Sequence, residues 1–160
     1  MGLDATARES NVRDSYKKYF IDNIKKVSNI ELVFDAGLSI PRIHGQKNEI
    51  KKWVSITMGS KTRGTLSEMT LDLHCCIRSD PEGHGLSQLG DTVMNYLVDT
   101  TKTDGMRRIP FYQSKAGGFS GWTDIGAMLI TDIIESGDIE GPDNTKFKTF
   151  TVTIKWASKI

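Results

Sequence analysis

The side chains in this sequence that could do chemistry gather on one stretch and the turn after it. His74 and Cys76 stand two apart in Leu71-Asp72-Leu73-His74-Cys75-Cys76-Ile77-Arg78, and His84 comes one turn further on. Residues at i and i+2 of a strand share a face, and such a pair with a third group can hold zinc. No CxxC or HExxH accompanies them, and a solvated histidine beside a small packed thiol explains the pair more simply. Gly83-x-Gly85 sits where a dinucleotide fingerprint would sit, but Gln88 occupies the third glycine position and the surrounding pattern is not βαβ. Gly85 is expected to permit a tight turn. Gly59-Ser60-Lys61-Thr62 lacks the upstream glycine and the Gly-Lys step of a phosphate-binding loop, and it joins two strands. For nucleophilic catalysis, Cys75 belongs to the core face and would be inert. Cys76, exposed beside His74, would point along the strand in the same direction rather than toward it. The serines stand in loops without a nucleophile elbow. No catalytic residue, cofactor site or metal site is expected, and the chain reads as an assembly part rather than an enzyme.

The elements that would position these groups are plain in places. From Leu66 to Arg78, Met69, Leu71, Leu73, Cys75 and Ile77 alternate with Glu68, Thr70, Asp72, His74, Cys76 and Arg78, as in a strand with one buried face. Asp80 to Gly85 breaks the strand, and Leu86, Leu89, Val93 and Leu97 then fall on a helical stripe. Ahead of them, Ser10 or Asn11 can cap a helix running to about Val27, with Val12, Tyr16, Tyr19, Phe20, Ile24 and Val27 at helical spacing. Residues 1–10 read as a loose, flexible arm before a single domain over 11–160. Ile30–Asp35 and Lys52–Met58 read as strands, and Gly59–Gly64 as a polar hairpin tip. Ile109–Tyr112 reads as a brief apolar touch-down and Gln113–Gly121 as a mobile loop. Gly126–Ile134 and Phe147–Trp156 read as the arms of a closing hairpin, with Phe150, Val152, Ile154 and Trp156 inward. This order predicts an α+β fold: a single mainly antiparallel sheet of about five strands with two main helices packed on one face.

Totals narrow the function classes. The chain has 160 residues, with Lys+Arg 21 against Asp+Glu 20, so it lacks the basic excess of an avid nucleic-acid binder. Its only two cysteines are adjacent in a strand and point to opposite faces, so they should not bridge each other. That usage suits a reducing compartment. No apolar signal core opens the sequence, and the apolar run Ile125–Ile130 is far too short to span a bilayer. A soluble protein made in a cytoplasm, with no membrane partner, is expected. Polar loops with bulky or basic tips remain: Lys61, Thr62 and Arg63 on one hairpin, and Arg107, Arg108, Phe119 and Trp122 in the next long connection. Arginines and aromatics in such loops are frequent at protein interfaces, and the ordinary alternative is solvated loops with Trp122 folded onto the core.

With its leading helix, then Leu71–Arg78, then Leu86-Ser87-Gln88-Leu89-Gly90-Asp91-Thr92-Val93, and the closing Phe150-Thr151-Val152-Thr153-Ile154-Lys155-Trp156, the chain resembles the tail terminator (tail completion) proteins of long-tailed bacteriophages. The resemblance covers Asn11 to Ile160. It implies an α+β subunit that closes with copies of itself into a hexameric ring. The ring docks on the last ring of tail-tube subunits, stops polymerisation and joins the neck at the head connector. In contractile tails it also meets the sheath. DNA passes through the bore without sequence-specific binding, and near-neutral charge fits such a conduit. The implied location is the tail–neck junction of the virion, assembled in the host cytoplasm, with no cofactor. Lys61, Thr62, Arg63, Arg107, Arg108, Phe119 and Trp122 are the expected contacts to tube, neck or neighbour. The alternatives are another tail or neck component, such as a tube subunit or a head-completion protein, and a small metal- or ligand-binding enzyme.

Overall fold

A computed structural model describes residues 2–35, 50–114, 122–141 and 144–159. Helix α1 (Glu9–Phe20) precedes strands β1 (Glu31–Phe34), β2 (Lys52–Thr62) and β3 (Leu66–Arg78). Helix α2 (His84–Met94) leads to β4 (Arg108–Ser114), β5 (Trp122–Glu135), β6 (Ile139–Glu140) and β7 (Thr145–Ala157). The fold is α+β, as expected. One seven-stranded sheet runs in the order β1-β2-β3-β7-β5-β4, and β6 continues along β7 beyond the end of β5. Every pairing is antiparallel except that of β1 with β2.

Two strands more than expected are present, β4 and β6. The touch-down at Ile109–Tyr112 is the middle of β4, an edge strand paired with β5. Gln113 and Ser114 continue that strand instead of opening a loop. Residues 115–121 of that expected loop, and residues 36–49 between the first two strands, lie outside the described residues. Pro110 is tolerated in β4 because of where its nitrogen falls. The Tyr112 N–H points away from β5 and donates to Ser15 Oγ on α1 at 2.9 Å. Pro110, two residues earlier, has the same orientation, so its missing N–H lies on the outer edge and costs no ladder bond.

The core lies between one sheet face and the two helices. Met69, Leu71, Leu73 and Cys75 of β3, with Phe150, Val152, Ile154 and Trp156 of β7, are all buried there, as their alternation predicted. They meet Tyr16, Phe20 and Ile24 from the first helical segment, and Leu86, Leu89, Val93 and Leu97 from the second. Val27 departs from its expected stripe. After Phe20 the helix widens to a π-wound segment, Ile21–Lys25, with Lys26 N–H bonding Ile21 O at 3.0 Å. The extra residue per turn rotates the positions beyond it, and Val27 ends 72% exposed. The helix also starts earlier than expected, at Glu9, with Asn11 inside its first turn and its Nδ2 donating to Ala5 O at 2.9 Å.

The stretch expected to be a loose arm is held down. Ala5–Ala7 forms a 3₁₀ turn capped by Asp4, and Ala7 is buried. Thr6 O accepts from Trp156 Nε1 at 3.0 Å and from Ser158 Oγ at 3.2 Å, and Thr6 Oγ1 accepts from Lys159 N–H at 2.9 Å. No apolar run announces this segment; its order comes from two side-chain donors and one backbone N–H that the end of β7 and the two residues after it supply.

Candidate functional site

The expected interface residues separate into three places. The first is the β2–β3 hairpin, whose turn is shorter than Gly59–Gly64. Residues 59–62 belong to β2, which bulges between Met58 and Lys61, and the turn is Arg63–Thr65. This tip folds back on the chain. Lys61 Nζ pairs with Glu9 Oε2 at 2.8 Å, and Arg63 Nη1 donates to Ala7 O at 2.7 Å. The Lys61 ammonium, by its hydrogen bond and charge, holds the Glu9 carboxyl below the usual range. Thr62 is exposed beside them, opposite Glu68 in the ladder.

The second place is the end of α2. Arg107 donates from Nη2 to Asn95 O at 3.0 Å and to Val98 O at 2.7 Å. These carbonyls lie where the helix dipole is negative and bonding partners run out, so Arg107 fastens the helix end to β4.

The third is a cleft of about 280 Å³ between α1 and β4, lined by Lys18, Tyr19, Asp22, Arg108, Pro110 and Tyr112 among others. Trp122, 44% exposed, stands edge-on to Tyr112 with ring centroids 5.9 Å apart. Lys18 Nζ sits 5.6 Å from the Trp122 ring centre, a cation–π distance. Asp22 receives Lys18 at 2.7 Å and Lys26 at 3.1 Å, and the Lys18 hydrogen bond is the main reason its pKa falls. Arg108 is exposed and makes no hydrogen bond or ion pair among the described residues. Of the expected contact residues, Arg108 lines this cleft and Trp122 borders it through Tyr112 and Lys18, Lys61, Thr62 and Arg63 meet at another site, and Phe119 lies outside the described residues. Lys18 and Tyr112 complete the cleft. Reading α1 as a core stripe with a wet side left Lys18 among ordinary solvated lysines.

The His74, Cys76 and His84 set does not assemble. His74 lies on the sheet face away from the helices, its Nδ1 2.8 Å from Thr149 Oγ1, and His84 is exposed at the first turn of α2. Burial lowers the His74 pKa, and the Asp72 charge opposes that shift. Cys76 is a packed thiol, as the simpler reading of the pair has it, and not the exposed one that nucleophilic chemistry would need: it is buried beside Trp53 and Phe147 in the ladder, and burial pushes its thiol up to about 12. Among the described residues no group of three or more His, Cys, Asp and Glu side chains is placed to hold a metal ion. The turn after β3 also differs in which glycine carries it. Gly83 has φ +77°, whereas Gly85 lies in the helix, where an added Cβ would come 2.9 Å from Ile77 Cδ1.

Much of the rest of the outer sheet face is polar. Thr57, Asp72 and Thr151 succeed one another across three strands, with the exposed Ile134 next to them on β5, and Thr70, Thr153 and Asp132 follow in the same way. Thr151 donates to Asp72 Oδ1 at 2.8 Å.

No family model and no curated protein matches this chain. Among solved structures, one whose title is a serial identifier without a stated function aligns over 96% of this chain and 97% of its own, with a TM-score of 0.56 and 7% identity. A likeness at that identity shows the α+β fold and nothing finer.

Proposed function

We propose that this chain is a structural subunit that forms a ring, caps the tail tube of a long-tailed bacteriophage and presents the surface to which the neck of the head joins. The observation that carries the reading is the β4–β5 hairpin. β5 pairs with β7 only from Leu129 onward, so its first half pairs with β4 alone and extends past the main sheet. This arm is braced by α1 through Ser15 and Tyr112, and it carries Tyr112 and Trp122, with Arg108 at its base opposite Leu129. A braced projection bearing Tyr and Trp, with Arg at its base, is the kind of part by which a subunit engages a neighbour. The outer sheet face agrees with a DNA conduit: its aspartates repel phosphate, its threonines carry no charge to hold it, and Lys155 there lies 3.7 Å from Glu68. Together with the element order that resembles the terminators, these features favour a capping subunit that passes DNA without reading it. The tube, the neck connector, in contractile tails the sheath, and copies of itself are its partners, at the tail–neck junction.

The test is to polymerise tail-tube subunits with and without the purified chain and to image the ends. Rings seated on tube ends, and growth that stops there, are the expected result. Tubes built from this chain alone would make it a tube subunit, and bare, growing ends would refute the reading.

A further inference from the structure

The two halves of β5 carry opposite chemistry. Beside the first half lies the cleft lined by Lys18, Arg108 and Tyr112, open to solvent, with Trp122 against Tyr112 at the start of the strand and Arg108 opposite Leu129 at its middle; the Arg108 side chain has no bonding partner among the described residues. Asp22 at that cleft is already shared by two lysines, and the nearby Asp124 accepts the Gly126 N–H at 2.9 Å. At its far end the strand runs into Asp132, Glu135, Asp138 and Glu140, all exposed, with Ile134 68% and Ile139 44% exposed between them. Among the described residues one ammonium answers this group: Lys148, 2.9 Å from Glu135 and 3.7 Å from Asp138. Lys146, opposite Glu140 in the ladder, donates instead to Pro81 O at 2.8 Å.

Arg108 stands opposite Leu129, which pairs with Lys155 of β7, whereas Glu140 pairs with Lys146. Nine residues of β7 separate those positions, roughly 30 Å at about 3.3 Å per residue, so Arg108 and Glu140 cannot meet within one molecule. Two different, complementary surfaces held apart on one rigid sheet are the requirement for a head-to-tail contact, which closes into a ring when the rotation allows. We infer that the acidic, isoleucine-bearing β5–β6 segment of one copy docks in the Lys18–Arg108–Trp122 cleft of the next. Ile134 or Ile139 would pack on the Trp122 and Tyr112 rings while Glu140 reaches Arg108. This deepens the ring reading by naming the surfaces that join, and it stands or falls separately from tube capping.

The experiment is sedimentation velocity of the full chain at low and high salt, with charge reversals. Association at low salt that weakens at high salt is expected. Arg108→Glu and Glu140→Lys should each weaken it roughly tenfold, and a chain carrying both should regain it, because the reversed charges meet across the new contact. Circular dichroism checks the fold of each variant. Should Glu140→Lys not fold, Glu140→Gln, which removes only the charge, takes its place beside Arg108→Gln, and each is expected to weaken association. A chain that stays monomeric at every salt, variants that associate like the parent, or a double reversal without recovery would overturn the inference. Salt-sensitive, swap-rescued assembly that ignores tube ends would keep this contact and refute the capping role. Capping by a chain with no such contact would do the opposite.

Discussion

Tyr16 offers a stringent test of how the core is built. Its ring is fully buried, 6.4 Å from the Phe34 ring centre, yet its hydroxyl has no hydrogen-bond partner among the described residues. A buried, unsatisfied hydroxyl costs roughly 1–3 kcal/mol in lost solvation, whereas the ring contributes packing that phenylalanine would keep. Tyr16→Phe should therefore stabilise the protein by about 1–2 kcal/mol at neutral pH, a rise in Tm of about 2–8 °C at this chain length. The charge state adds a second signature. Burial raises the Tyr16 pKa from 10.0 to about 12, so the folded state holds the proton more tightly than the unfolded chain does. That contribution is complete below pH ~10 and is lost as pH rises through ~12, amounting to about 2–3 kcal/mol. Phenylalanine has no proton to lose, so the variant escapes this alkaline loss and its advantage over the parent should widen between those values. Urea unfolding of both proteins across that range reads the difference directly, since the other tyrosines titrate in each. A variant less stable than the parent at neutral pH, with a parallel alkaline slope, would show that the hydroxyl is satisfied and the reasoning wrong.

The same packing sets other outcomes. An added Cβ at Gly59 would collide with Thr70 Oγ1 and lie 3.1 Å from Thr70 O, so Gly59→Ala should cost about 1–3 kcal/mol by urea unfolding; Thr70→Ala in the same chain should recover only part, because the carbonyl remains. The His74 pKa is lowered on folding, so the unfolded chain binds its proton first as pH falls. Stability should drop from about pH 6.5 downward through the folded pKa, and His74→Gln should flatten that segment of a pH series of urea midpoints. Arg107→Ala removes both bonds to the end of α2 and should cost about 1–3 kcal/mol, with faster amide exchange confined to residues near Tyr96–Val98.

Which parts of this architecture can be read from residue order depends on how local their causes are. The β3 and β7 faces are legible because each buries alternate side chains along its whole length. β4 is not, because Pro110 counts against a strand until its place on an edge, with α1 alongside, is known. Val27 keeps the helical period in the sequence and leaves it in the molecule, because the π-wound turn inserts a residue that no propensity signals. Cys76 lies on the face that the alternation marks as wet, yet it is buried; that burial comes from neighbours far along the chain. At the cleft, Arg108 and Trp122 stand out by residue type. Their meeting with Lys18 requires β4 to lie against α1, and the acidic segment at the other end of β5 reads only as turn formers.

β7 lies between β3 and β5 and pairs with β3 at each of its 13 residues. The middle of the sheet is thus among the last of it to be synthesised. Until Thr145–Ala157 has left the ribosome, β3 and β5 have nothing between them, and Leu71, Leu73 and Ile130 lack the strand that joins their faces. Vectorial folding is closed to such a topology. The nascent chain must hold open edges apart over dozens of residues and then complete its core in one late step. Chains broken off before β7 would be read by the cell's proteases as unfolded, so only full-length chains would persist.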